Sequence, residues 1–383
     1  MLKKVLILSL GMFALGFDAY IVAGLIPGIS ETYHKDVSQV GLAVSMFTLF
    51  YAISAPIFAS LFAGKSVKKI LLYSMLVFTI ANSITAIAPT FTVLLVSRAI
   101  AGAGAGLFSP IAISASSELV SIEKKGRAIG LTLGGMSIGT VLGVPLGLYV
   151  SDLLNWQASI WLLVLIGVIA MFGMLLYLPH IETSSPPAVN ERLKMFFDKK
   201  VTITVFITFF ASISSLGLYT YLSPLIKEVA TSGDLVLYLW AWGFGGLFGS
   251  LIIGHLIDYF KKPKTLVTII LLILTLSIIC IPLMINIPLL KYLPFFVWGA
   301  MGWASQAPQQ HILMSYQPNN GSSAVALNSS LNYLGSSVGA TLGGIVLAFG
   351  FGAISLIFFA VIFMVFSILL QLYSANKFKI TEP

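Results

Sequence analysis

Residues 5–27 read VLILSLGMFALGFDAYIVAGLIP, an apolar run with a single charge, Asp18, thirteen residues into it and nine residues from its end. Coiled as a helix, a run of this length crosses the roughly 30 Å hydrocarbon core of a bilayer. An ionisable side chain at that depth costs about 3 kcal/mol on insertion scales and persists where it faces a protein interior or a water-filled path. Two readings of Asp18 follow: a carboxylate merely paired with a neighbouring helix, or a proton or substrate site.

The rest of the chain repeats the pattern. Charged residues are 9% of the 383 positions, against roughly 25% in ordinary soluble domains, and hydrophobic residues are 58%. Apolar stretches fall at about 5–27, 38–63, 70–89, 91–118, 128–150, 158–179, 201–226, 235–257, 265–286, 290–315, 326–349 and 351–374. The expectation is an all-α membrane protein of twelve transmembrane helices. Cys280 is the one cysteine, so no disulfide forms within the chain. The net charge of +8 comes from short basic clusters between spans; these are topology signals, and no nucleic-acid partner is expected. MLKK ahead of the first run resembles a secretory leader, but the run is too long and carries Asp18, so it is expected to be retained.

With the N-terminus placed in the cytoplasm, seventeen Lys and Arg residues fall inside and only Lys35, Lys227 and Lys291 outside. This positive-inside bias predicts a multi-pass protein with both termini cytoplasmic. The longest loop, 180–200, carries Ser-Ser-Pro-Pro and mixed charges and separates an N-terminal half, 1–179, from a C-terminal half, 201–383. Pro27 and Pro224 are 197 residues apart, and Gly139, Gly143 and Gly147 recur 196 residues later as Gly335, Gly339 and Gly343. Such offsets predict two parallel six-helix halves, an arrangement that places substrate and ion sites near the middle of the membrane.

Arg98 is the second intramembrane charge of the first half. It and Asp18 lie at similar depths, roughly 10–14 Å below the outer surface, which predicts partnership, direct or through water. The glycine series places small residues at i, i+4 and i+8 on one helix face, where a neighbouring backbone can approach. Pro145 removes a backbone donor and bends that span. The series is expected to form close helix packing and a seam that slides or rocks between the halves. In the second half polar groups replace charge. Tyr219 and Tyr221 lie on span 7, and Trp303, Gln306 and Gln310 recur at i, i+3 and i+7 on span 10. Gln309, His311, Asn328 and Asn332 add hydrogen-bonding capacity. An unpaired amide in hydrocarbon is costly, so these groups predict either helix–helix hydrogen bonds or a cavity wall that contacts substrate. No phosphate-binding loop, HExxH pair or Cys/His cluster is present, so neither an enzyme nor a nucleotide-driven pump is expected.

These segments resemble the major facilitator superfamily over essentially the whole chain. GFDAYIVAGLIPGI (16–29), SRAIAGAGAG (97–106) and GTVLGVPLG (139–147) resemble the span-1, span-4 and span-5 motifs of its drug:proton antiporter branch. YTYLSP (219–224) and the span-10 pattern of Trp298, Trp303, Pro308, Gln309 and Gln310 are nearest to purine-nucleoside and arabinose-type sugar efflux members. NWQASIW (155–161) resembles the opening of span 6, with Gln157 where an arginine is usual. The resemblance implies a proton role for Arg98 with Asp18, an antiporter motif at Gly139, Gly143, Pro145 and Gly147, and a cytoplasmic charge gate. The gate motif is weak in its first copy, where Ala59, Ala63 and Gly64 precede Lys68 and Lys69. The second copy, with Gly254, Asp258, Lys261 and Lys262, is closer. It further implies export of a drug, nucleoside or sugar in exchange for protons across the plasma membrane, by a chain acting as a monomer without cofactor or metal. Its expected partners are the small-molecule substrate, protons and the lipid bilayer. An uncoupled facilitator, an importer, and a receptor that binds without transport are the alternatives.

Overall fold

The computed structural model describes residues 2–61, 66–121, 124–179, 195–231, 235–260, 262–288, 290–318 and 320–378. Among them eleven helices are long and apolar enough to cross a membrane. Their outward faces are hydrophobic. On the helix Trp156–Tyr177, for example, Trp161, Leu165, Ile169, Phe172 and Leu176 are all exposed, a stripe that water would not tolerate and lipid does. The chain is an all-α, multi-pass membrane protein.

By contacts it divides into two compact units, Met1–Val189 and Asn190–Pro383. The division falls inside the loop expected as a linker, of which 180–194 lie outside the described residues. The first unit contains α1 (Leu2–Tyr33), the short α2 (Val37–Val40), α3 (Leu42–Leu61), α4 (Val67–Ala86), α5 (Phe91–Glu118), α6 (Lys125–Ile138), α7 (Val144–Leu153) and α8 (Trp156–Tyr177). Thr90 caps α5 and Asn155 caps α8, each side chain accepting from the amide three residues on. Such caps satisfy amides that a helix start leaves free. Between α6 and α7 the chain makes one π-helical turn, Gly139–Gly143. Pro145 has no amide to return to Val141, and the widened turn sits where that bond is missing.

The second unit contains α9 (Lys199–Thr220), α10 (Leu222–Val229), α11 (Leu235–Phe260), α12 (Pro263–Met284), α13 (Leu293–Ala304), α14 (Gln306–Tyr316), α15 (Gly321–Ala348) and α16 (Ser355–Lys377). Here one expectation is corrected. The tenth apolar stretch, 290–315, is not a single helix but two, α13 and α14, parted at Ser305. Pro308 cannot donate to the carbonyl of Ala304, so the ladder fails there, and neither piece alone reaches spanning length.

The spaced glycines let helices touch backbone to backbone. A Cβ on Gly139 would lie 2.1 Å from the carbonyl oxygen of Phe13, and one on Gly143 would lie 2.9 Å from the Phe17 side chain. In the second unit a Cβ on Gly335 would lie 2.5 Å from the Phe209 carbonyl oxygen and one on Gly339 would lie 2.5 Å from that of Ile213. Phe13 to Phe209 and Phe17 to Ile213 are both steps of 196 residues, the same step that separates the glycines. The glycine contacts therefore join the first and fifth spans within each unit.

The expected gate is only partly in view. Lys68 Nζ donates to the carbonyl of Leu175 at 2.8 Å, closing the C-terminal end of α8, where a cation is favourable. Lys69 is exposed. Ala63, Gly64 and Lys261 lie outside the described residues, as do the side chains of Ala59 and Asp258.

Candidate functional site

In the first unit α1, α4 and α5 bring three polar side chains together with no exposure to solvent. Arg98 NH1 donates to Asp18 Oδ1 at 2.5 Å and to Asn82 Oδ1 at 3.0 Å. Asn82 Nδ2 donates to Asp18 Oδ2 at 3.0 Å, so both carboxylate oxygens are held. Asp18 and Asn82 are 0% exposed and Arg98 1%. The guanidinium carbon lies 4.4 Å from the centre of the Phe47 ring on α3, a cation–π contact in a water-free setting. A charge pair buried this completely needs further hydrogen bonds to be stable, and Asn82 supplies one to each member. One donor is left over: Arg98 Nε is buried without a hydrogen-bond partner.

Two glycines build the closeness. A Cβ on Gly102 would lie 2.1 Å from the carbonyl oxygen of Phe47, and one on Gly104 would lie 2.9 Å from the amide nitrogen of Phe78. Without side chains at these positions α5 settles against α3 and α4 together, which sets Phe47 over Arg98 and Asn82 beside it. Asp18 and Arg98 are thus the direct partners their depths predicted. Asn82 was missed, although an amide inside VFTIANSITA is the same kind of signal as Asp18 in span 1.

The corresponding place in the second unit is neutral. Trp298 Nε1 donates to Ser215 Oγ at 2.7 Å, both buried. Ser215 lies 197 residues after Asp18 and Trp298 lies 200 after Arg98. Around Trp298 the rings of Tyr219, Trp242 and Trp303 assemble; Tyr219 is 4.5 Å from Trp242, and Trp303 meets Trp242 edge-on at 5.8 Å. Trp303 is partly exposed. Tyr221 is placed differently: wholly buried, it donates through its hydroxyl to the carbonyl of Ala340 at 2.6 Å and packs beside Gly343. That makes it a fastener of α9 to α15.

The amides form two tiers along α14 and α15. Gln306 Nε2 donates to Asn332 Oδ1 at 3.3 Å, with both residues partly exposed. One turn along, Gln309 and Asn328 both meet the hydroxyl of Thr208 on α9, at 2.6 Å in the case of Asn328. Gln310 is partly exposed and His311 is exposed. The break at Ser305 separates Trp303 from Gln306 and Gln310, so the face expected to be continuous runs over two helices. Among the described residues no group of three or more His, Cys, Asp or Glu could hold a metal ion.

The sequence of residues 8–340 matches the family model described as Major Facilitator Superfamily. The chain is 28% identical over 345 residues to an uncharacterized MFS-type transporter of Bacillus subtilis (strain 168), YbcL, covering 89% of this chain and 88% of that one. It is 26% identical over 305 residues to a chloramphenicol resistance protein of Streptomyces lividans, covering 78% and 77% of the two chains. In fold it is similar to a D-xylose-proton symporter, with a TM-score of 0.81 at 17% identity over 100% of this chain and 98% of that one. The chain belongs to the Major Facilitator Superfamily: it is a membrane transporter of small molecules.

Proposed function

We propose that this member of the Major Facilitator Superfamily is a proton-coupled antiporter that exports a small organic solute across the plasma membrane by alternating access. The observation that carries the reading is the Asp18–Asn82–Arg98 cluster, a carboxyl enclosed at mid-span with a cation and a neutral amide hydrogen-bonded to it. A proton arriving at Asp18 Oδ1 displaces the Arg98 hydrogen bond and neutralises the carboxylate. The guanidinium keeps its bond to Asn82 Oδ1, so it has a place to rest while its charge is uncompensated. Loss of the proton restores the pair. The cluster thereby has two arrangements that differ by one proton, the element a coupled transporter needs to bias a conformational equilibrium. Solute contacts are assigned to Tyr219, Trp303, Gln306, Gln309, Gln310 and Asn332, and cytoplasmic gating to Lys69, Asp258 and Lys261.

The twelve-span reading belongs to the same proposal. α13 and α14 together run about 36 Å at 1.5 Å per residue, long enough to serve as the tenth crossing. With both termini cytoplasmic, cysteines replacing Lys35 and Lys194 label from opposite sides of the intact cell; labelling of both from outside removes the topology.

The name of the Streptomyces lividans relative makes chloramphenicol the first solute to try, beside purine nucleosides and pentoses. Everted vesicles given only a pH difference are expected to accumulate at least one of them. Absence of pH-driven flux for all of them moves the reading to an uncoupled facilitator. One feature favours that second reading: both Asp18 oxygens are already engaged, as in a purely structural ion pair.

A further inference from the structure

Thr208, Gln309 and Asn328 come from three helices and are 1%, 1% and 0% exposed. The threonine hydroxyl has one hydrogen and two amide groups within reach, while Gln309 Nε2 and Asn328 Nδ2 are buried with no hydrogen-bond partner. A terminal amide can present either end. If Gln309 gives its nitrogen to Thr208 and Thr208 gives its hydrogen to Asn328, a carbonyl on Gln309 and an NH₂ on Asn328 remain unmet. The mirror choice leaves the reverse. Every arrangement leaves hydrogen-bonding capacity unused in a buried place, and the best ones leave a donor and an acceptor side by side. Buried polar groups are otherwise almost always paired.

The charges elsewhere narrow what could fill the gap. In the second unit, Asp258 is the only acid of α9 and α11–α16, and it stands two residues from the end of α11. Glu228, at the end of α10, is spent on the backbone amides of Ala353 and Ile354. In the first unit, Asp18 has both oxygens engaged. Among the described residues no mid-span carboxylate is free to receive a cation.

We propose that the Thr208–Gln309–Asn328 cluster is a binding site for an uncharged group carrying a donor and an acceptor side by side, such as an amide, a nucleobase edge or paired hydroxyls. The cluster carries no charge to compensate an ion, so the part of the solute that it meets is uncharged. The solute enters past Gln306 and Asn332, one turn away and partly exposed, and completes the hydrogen bonds that the deeper tier lacks. This rests on the transport reading above for there being a solute, but it is independent of proton coupling.

The test is equilibrium binding to the full-length protein in nanodiscs with no pH gradient, so a failure of coupling cannot imitate a failure of this site. The probes are labelled chloramphenicol and uridine, both uncharged, and the cation tetraphenylphosphonium. At least one uncharged probe is expected to bind without competition from the cation. Thr208→Val, which keeps the side-chain shape, should weaken that binding about tenfold or more, a loss of about 1.4 kcal/mol or more, and Thr208→Ser should restore it. Should Thr208→Val fail to insert, Gln309→Met is expected to show the same loss. Three results each overturn the proposal: neither uncharged probe binds, the substitutions leave affinity unchanged (in which case a trapped water fills the cluster), or tetraphenylphosphonium binds in competition with the uncharged probe.

Discussion

The two units are built on one plan and filled with different chemistry. In the first, α1 packs on α6, α7 and α8; in the second, α9 packs on α15 and α16. Glycines 196 residues apart make the same close contacts in both. At the polar centre the plan diverges: Asp18 with Arg98 on one side, Ser215 with Trp298 on the other. Backbone contacts depend on the absence of side chains, and glycine supplies that identically in both units. The polar centre depends on side-chain chemistry and is free to differ. The difference teaches a division of labour: a buried ion pair sits in one unit and neutral hydrogen-bonding groups in the other, so under the proposed antiport only the first would respond to a proton.

Asp18→Asn is the largest expected effect. It keeps the size of the side chain and most of its hydrogen bonding but removes titration, so pH-driven accumulation should fall to background while solute exchange down a gradient persists. If vesicles carrying the variant still concentrate solute on a pH difference alone, the charged centre is structural and the division of labour is gone. Arg98→Ala tests the same centre through stability. A buried carboxylate left without its cation is destabilising by about 3–5 kcal/mol, so thermal unfolding in detergent should begin well below that of the unmodified protein.

Next comes the shared scaffold. Gly143→Leu drives a side chain into Phe17, where even a Cβ would lie 2.9 Å away. Transport should fall severely. Gly134 has nothing within 4 Å of its would-be Cβ, and Gly134→Leu should be nearly silent. Equal activities for the two variants would show that the spacing of the series is incidental.

Much of this was readable before any coordinates. The spans, the charge pair and the repeat follow from composition, depth and a constant offset, which are properties of the backbone path. What was not readable depends on a neighbour in space. Asn82 becomes part of the centre only because glycines on α5 admit α4 beside it. Trp298 as the donor to Ser215 was not signalled by the repeat, since the residue 197 after Arg98 is Phe295 and Trp298 lies nearly one turn further on. The break at Ser305 is signalled by Pro308, which is legible both as a motif residue and as an interruption of the helix. For Tyr221 a helix–helix hydrogen bond and a solute contact were equally open to sequence, and the first is what its hydroxyl makes with the carbonyl of Ala340.

Trp298→Phe sharpens the comparison with a smaller effect. It removes the donor to Ser215 and costs about 1–3 kcal/mol for the hydroxyl left unmet. Solute affinity should weaken severalfold while the dependence of transport on pH stays that of the unmodified protein. Arg98→Lys, its counterpart, should change the pH dependence. If Trp298→Phe alters the pH profile as much as Arg98→Lys does, the neutral centre takes part in coupling.

The smallest effect is at Glu31, near the end of α1, and at Glu228, near the end of α10. Glu31 and Glu228 are 197 residues apart, but only the second has been recruited. The Glu228 carboxylate accepts from the amides of Ala353 and Ile354, the latter at 3.3 Å, just ahead of α16. At the matching place in the first unit Trp156 Nε1 donates instead to Thr32 Oγ1 at 2.8 Å, and Glu31 stays exposed. A carboxylate at a helix start is worth about 0.3–1 kcal/mol through the amides it meets and the dipole it opposes. Glu228→Gln retains an acceptor and loses the charge, so unfolding temperature should fall by a small but measurable amount. Glu31→Gln should leave it unchanged. The two variants, unfolded side by side in the same detergent, differ only in whether the carboxylate was holding a helix. An equal shift in both would mean that these helix ends are no more distinct than the glycine contacts, and the comparison would rest on the polar centres.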